Sequence, residues 1–177
     1  MQVLLSFGMA VAPAVILLIY YYRQDRRKPE PKRLIATIFF MGIVSTIPAI
    51  LLELLVSTVQ ELFRWWPLLY HLFEAFIVAA LCEEYIKLVM VKGIVYDNVY
   101  FDEVMDGIVY TVIASLGFAC MENILYVIDG GWTTALLRTF TAVPMHAVAS
   151  GMMGYYIGAA KFAKSEEGEK RLFRRGL

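Results

Sequence analysis

Ala75-Phe76-Ile77-Val78-Ala79-Ala80-Leu81-Cys82-Glu83-Glu84-Tyr85-Ile86-Lys87-Leu88-Val89-Met90-Val91 is an apolar stretch broken by three ionisable residues. It sits in a longer apolar run over residues 67–92, and roughly 20 residues suffice for a helix to cross the hydrocarbon core of a bilayer. A charged side chain at mid-membrane costs on the order of 2.5–3.5 kcal/mol on insertion scales. The stretch therefore speaks to two matters: the solvent the chain is built for, and where its function lies.

Further apolar runs flank it at about 1–22, 33–57, 107–128 and 132–161. Inside lipid every backbone N–H and C=O needs an internal partner, so runs of this length mean helices. A membrane barrel would instead show alternating segments of ~10 residues. The expected fold class is all-α, a polytopic transmembrane helical bundle of five spans. It forms a single domain over 1–164, with a charged, solvated cytoplasmic tail at 165–177. The composition agrees: 60% of the 177 residues are hydrophobic and 18% charged, against about 45–50% apolar in soluble domains. Sixteen Lys+Arg balance sixteen Asp+Glu, and only two Cys are present. These figures exclude disorder, a disulfide-stapled scaffold and a nucleic-acid binder driven by net positive charge.

Orientation follows from the basic residues. Arg23, Arg26, Arg27, Lys28, Lys32, Arg33, Lys92, Lys161, Lys164, Lys170, Arg171, Arg174 and Arg175 all follow odd-numbered runs. The positive-inside rule then predicts N-out, C-in. Arg64 falls in the loop between the second and third helices, Arg138 near the outer end of the fifth, and Lys87 inside the third. Trp65, Trp66 and Trp132 fall on the outer side, as interface anchors. Basic residues follow the first run rather than precede it, which argues for a retained helix over a cleaved signal. Pro48 and Pro144 are expected to bend their helices. Residues 93–106 read as an interfacial amphipathic segment or re-entrant turn, and Gly151, Gly154 and Gly158 as a helix-packing face.

The polar residues inside the spans are Glu83, Glu84 and Lys87 on the third, Glu122 and Asn123 on the fourth, and His146 on the fifth. Both Glu83 and Glu84 reach Lys87 along one helix face. Three carboxyls then meet one Lys and one His. Either a Glu carries a proton, or a cation or protonated His146 completes the balance. Such a group suits a general base that activates water. Asn123, Lys87 or His146 could donate to the oxyanion of a tetrahedral intermediate. All of this requires the third, fourth and fifth helices to be neighbours.

Glu83-Glu84-x-x-Lys87, Phe118-x-x-x-Glu122-Asn123, His146-Ala147-x-x-Ser150-Gly151 and Asp102-Glu103-x-x-Asp106-Gly107 resemble the signature segments of the PrsW family of intramembrane proteases. That family is similar in turn to the type II CAAX prenyl protease group. The resemblance implies a glutamate-dependent, multi-pass protease of a bacterial or archaeal cell membrane; the preferred reading requires no cofactor, with a divalent metal as the alternative. Its implied substrate is a single-span membrane protein, an anti-sigma factor in the best-known role, whose cleavage starts a stress response. By the same resemblance Glu83 and Glu84 supply the base and His146 is the functional histidine. Glu122 and Asn123 orient water or stabilise the oxyanion, and Lys87 tunes the Glu pair. The family commonly carries further helices with a second His, whereas this chain stops at Leu177, as a truncated or shorter variant would.

Rival chemistries are weaker. Glu83, Glu84, Glu122 and His146 could bind a divalent metal, but H-E-x-x-H is absent and one His is thin for zinc. Ser150 lacks a nucleophile elbow. Cys82 and Cys120 read as small hydrophobes. Asp97, Asp106 and Asp129 fall near helix ends, which disfavours an aspartyl site. His71, Glu53 and Glu74 read as interfacial. From other classes, an ion-coupled transporter or proton relay lacks a repeated half. A catalytically inactive adaptor would bind membrane helices through the small-residue face.

Overall fold

The computed structural model describes residues 2–24 and 28–176. Arg26 and Arg27 of the first basic cluster, and the side chain of Asp129, fall outside the described set. Within it every regular element is helical: α1 (Gln2–Gln24), α2 (Lys32–Gln60), a 3-10 turn (Glu61–Phe63), α3 (Pro67–Phe73), a π-helical segment (Glu74–Leu81), α4 (Cys82–Val95), α5 (Val104–Phe140), α6 (Ala142–Lys161) and α7 (Glu166–Gly176). Two stretches, Lys32–Phe63 and Val104–Ile128, are each long and apolar enough by themselves to cross a membrane. The outer surface of α2 exposes Phe40, Ile47, Leu51, Leu54 and Leu55, a face that water would penalise and lipid would not.

The first half of α5 is the centre of the molecule. Val109 through Cys120 are all buried, as befits a helix apolar or small on every side. Helices α1, α2 and α6 pack around it. Glycines set the closeness of these crossings. A methyl group at Gly42 would overlap the Ala114 backbone, and one at Gly107 would overlap the Gly154 carbonyl. Gly158 presses on Val104 in the same way, so the Gly154–Gly158 pair is a packing face as expected. Gly151 is looser: a methyl group there would meet the Val112 side chain at an ordinary 3.5 Å.

The run at 132–161 is not one helix. Gly131 takes φ 67°, which only glycine adopts cheaply, and the chain turns back on itself there. Residues 132–140, the last part of α5, then run back so that Arg138 reaches Asn123, and a second break at Thr141 (φ −114°, ψ −70°) starts α6. Pro144 lies in the first turn of α6, where its missing N–H has no helical acceptor to lose, so it opens that helix rather than bending it. Pro48, by contrast, lies inside α2.

Residues 67–95 form one continuous rod, but its middle turns are wide. The thiol of Cys82 donates to the Ile77 carbonyl five residues back, at 3.2 Å, within the π-helical segment. Such segments inside α-helices often mark functional sites. The charged tail is also ordered. Helix α7 folds back on α6 with Phe173 against Tyr96 (5.3 Å between rings), and the Tyr96 hydroxyl donates to Glu169 at 2.8 Å.

Candidate active site

Helices α4, α5 and α6 bring all six predicted residues into one region, and Lys87 lies at its centre with a fully buried side chain. Its ammonium has three protons and three acceptors: Glu83 Oε2 (3.3 Å), Glu84 Oε1 (2.8 Å) and His146 Nδ1 (2.9 Å). The face of Phe118 closes the fourth side at 4.3 Å. An ammonium only donates, so Nδ1 is an acceptor and the ring proton sits on Nε2. Nε2 in turn donates to Glu122 Oε2 at 2.9 Å. His146 is therefore a neutral strut joining α4 to α5, and the Ser115 hydroxyl further fixes its backbone carbonyl at 3.1 Å. Lys87 has no proton left for an oxyanion.

Asn123 does not face the reacting groups either. Its side chain is buried, with Nδ2 on the Ala10 carbonyl (3.4 Å) and Oδ1 accepting from Arg138 Nε (2.7 Å). Arg138 is the residue sequence reasoning missed. Its Nη2 lies 2.9 Å from Glu122 Oε2, and its guanidinium covers the Tyr126 ring at 4.0 Å. The signal was arithmetic about the turn: Asn123 lies eight residues before Gly131 and Arg138 seven after it. A helix starting at 132 leaves Arg138 at the membrane surface, whereas the reversal at Gly131 lays it beside Glu122.

The charge count changes accordingly. Glu83, Glu84 and Glu122 face two fixed cations, Lys87 and Arg138, with His146 neutral. The three carboxylates are not equivalent. Both oxygens of Glu84 are used, one by Lys87 and the other by the Ser150 hydroxyl at 2.9 Å. Glu122 Oε2 is shared between His146 and Arg138, each at 2.9 Å, so that oxygen is fully engaged. Glu83 shares Lys87 through one long contact, and its Oε1 has no hydrogen-bond partner among the described residues. All three line a cleft of about 370 Å3 with His146 and Arg138. Its remaining walls are mostly small, including Ala75, Ala79, Ala142 and Ala149, which leaves room for a peptide backbone. His71 pairs with Glu74 at 3.2 Å on the exposed surface, outside the cleft.

One donor each from Glu83, Glu122 and His146 lies within 4.8 Å of the other two. Two carboxylates and an imidazole suit a divalent cation, so these residues fit a metal. Glu84, the fourth residue expected in such a set, stands outside the group, held by Lys87 and Ser150.

Comparison with known proteins follows the same line. A family model described as PrsW family intramembrane metalloprotease matches residues 30–177. The chain is 41% identical to Protease PrsW of Geobacillus kaustophilus over 160 residues, covering 90% of the chain and 68% of that relative. It is 35% identical to Protease PrsW of Bacillus subtilis over 153 residues (86% and 67%) and 39% identical to that of Oceanobacillus iheyensis over 158 residues (89% and 69%). No solved structure matches.

Proposed function

The chain belongs to the PrsW family of intramembrane proteases and is a membrane-protein peptidase, and on that premise we propose that Glu83 is its water-activating base. The observation that carries this reading is the uneven engagement of the carboxylates: among the described residues Glu83 Oε1 is free in the cleft, and its Oε2 has only long contacts, to Lys87 at 3.3 Å and His146 Nδ1 at 3.7 Å. Glu83 Oε1 takes a proton from water as the hydroxide attacks the carbonyl carbon of a peptide in the cleft. The same proton then passes to the amide nitrogen as the C–N bond breaks. Ser150 holds Glu84, Glu84 holds Lys87, Lys87 and Glu122 hold His146, and His146 keeps α6 in place beside the base.

Around this chemistry we place five spans with the N-terminus outside, in a multi-pass protein of a bacterial cell membrane. The substrate is a single-span membrane protein of the anti-sigma-factor kind. In favour of the arrangement are the one-sided basic residues and the names of the bacterial relatives.

A second reading is favoured by the donor group of Glu83, Glu122 and His146 and by the family's description as metalloproteases. A metal held there would polarise the scissile carbonyl and acidify its water. One experiment separates the readings. A single-span reporter is cleaved in proteoliposomes by the wild type, Glu83→Gln and Glu84→Gln, before and after chelation, with bound metal measured. The expected result is a loss of about 10²–10⁴-fold for Glu83→Gln and a much smaller loss for Glu84→Gln, with activity surviving chelation. Undiminished cleavage by Glu83→Gln overturns the base assignment. Activity lost on chelation and restored by one metal, bound by the wild type and not by Glu83→Gln, establishes the second reading.

A further inference from the structure

We propose that Arg138 is the oxyanion donor of this site and that Asn123 is its positioning residue. The inference rests on the peptidase reading above, since an oxyanion arises only if a carbonyl is attacked in this cleft. A hydrolase needs a donor fixed in advance where charge develops. The obvious candidates fail. Lys87 has spent its three protons on Glu83, Glu84 and His146. His146 donates its single ring proton to Glu122, and Asn123 Nδ2 is turned to the Ala10 carbonyl.

Arg138 remains, and it is built for the task. Its Nε donates to Asn123 Oδ1 at 2.7 Å, its plane lies on Tyr126, and its buried Nη2 stands 2.9 Å from Glu122 Oε2 as an ion pair that does not make a hydrogen bond. Three contacts fix the orientation of a rigid planar fork that carries five N–H groups. Nη1 has no acceptor among the described residues, in a side chain that lines the cleft with Glu83. The group it must reach is close. Glu122 Oε2 bridges Arg138 to His146 at 2.9 Å each way, and Glu122 and Glu83 offer oxygens within 4.8 Å of one another. A carbonyl lying across that gap meets the base from one side and the guanidinium from the other. Arg138 stays charged throughout, so it donates without any proton changing hands.

The test uses the full chain in proteoliposomes with the single-span reporter, with kcat and KM measured separately. Variants are Arg138→Gln, Arg138→Lys, Asn123→Ala and Glu83→Gln. A phosphinate analogue of the reporter's scissile bond serves as a probe of oxyanion affinity. Arg138→Gln is expected to lose about 10²–10³-fold in kcat, with KM moving less than about threefold. Its phosphinate affinity should fall in parallel while uncleaved reporter peptide binds as before. Asn123→Ala should show a smaller loss of the same kind. Arg138→Gln with kcat and phosphinate affinity near wild type, beside an inactive Glu83→Gln, overturns this inference and leaves the peptidase reading standing. An active Glu83→Gln overturns that reading instead. Should Arg138→Gln fail to fold, Arg138→Lys decides, since it keeps the cation facing Glu122. Parallel losses in kcat and phosphinate affinity support the proposal, and equal losses for phosphinate and uncleaved peptide overturn it.

Discussion

At the scale of single residues, Lys87 shows how a buried charge is tolerated. Its burial is repaid only because each ammonium proton finds an acceptor and the aromatic face of Phe118 covers the remaining side. Replacing it with the unbranched but uncharged methionine, Lys87→Met, strands Glu83 and Glu84 against each other and leaves His146 Nδ1 without a donor. A loss of about 3–5 kcal/mol is expected, read as a lowered thermal melt in detergent with weaker cleavage. An unchanged melt would show that the network carries no such burden. Residue pairs on one helix were legible in the sequence, because Lys87 follows Glu83 by four and Glu84 by three positions. The roles of Asn123 and Arg138 were not. Asn123 carries a residue type that suits an oxyanion, and only its partner across the turn shows what it does.

At the scale of elements, the site depends on how closely α5 and α6 approach. His146 and Glu122 stand on different helices, and their 2.9 Å contact is held by the crossing at Gly107, Gly154 and Gly158. Gly107→Ala puts a methyl group into the Gly154 carbonyl, so the helices must separate. A cost of about 1–3 kcal/mol is expected, together with a loss of cleavage larger than the loss of folded protein. Gly151→Ala, with only the Val112 side chain nearby, should leave both near wild type. Parallel melts and rates for the two variants would contradict this account. The small-residue spacing was readable in advance, as were the apolar runs. The break at Thr141 and the wide turns at 74–81 were not, because hydropathy records that a segment is apolar and says nothing of its backbone hydrogen-bond pattern. Pro144 misled for a related reason: proline in a run suggests a bend until one knows that the helix begins beside it.

At the scale of the whole molecule, the end opposite the site is tied by Tyr96. This residue touches Phe101 and Phe173, lies beneath Lys92 and Lys161, and donates to Glu169 of α7. Burial, and next the Glu169 carboxylate, push its phenol above the usual 10. A phenol whose folded value is raised contributes its full share of stability below pH about 10 and loses it as pH climbs towards the folded value. Alkaline titration should therefore release α7, seen as rising mobility of a nitroxide at position 175. Tyr96→Phe should remove the alkaline part of that release, and an identical titration in the variant would sink the assignment. A different property belongs to the seam between α4 and α6. Their backbones stay apart along nearly all their length, and polar side chains cross the gap: Lys87 to His146 and Glu84 to Ser150 at the site, and Lys161 to the Tyr96 carbonyl at the far end. The groups proposed for the chemistry thus also join α4 to α6. A substitution at Lys87, Glu84, His146 or Ser150 therefore removes a joint between two helices together with a polar group of the cleft, so a lost activity in such a variant has to be read beside the integrity of that seam.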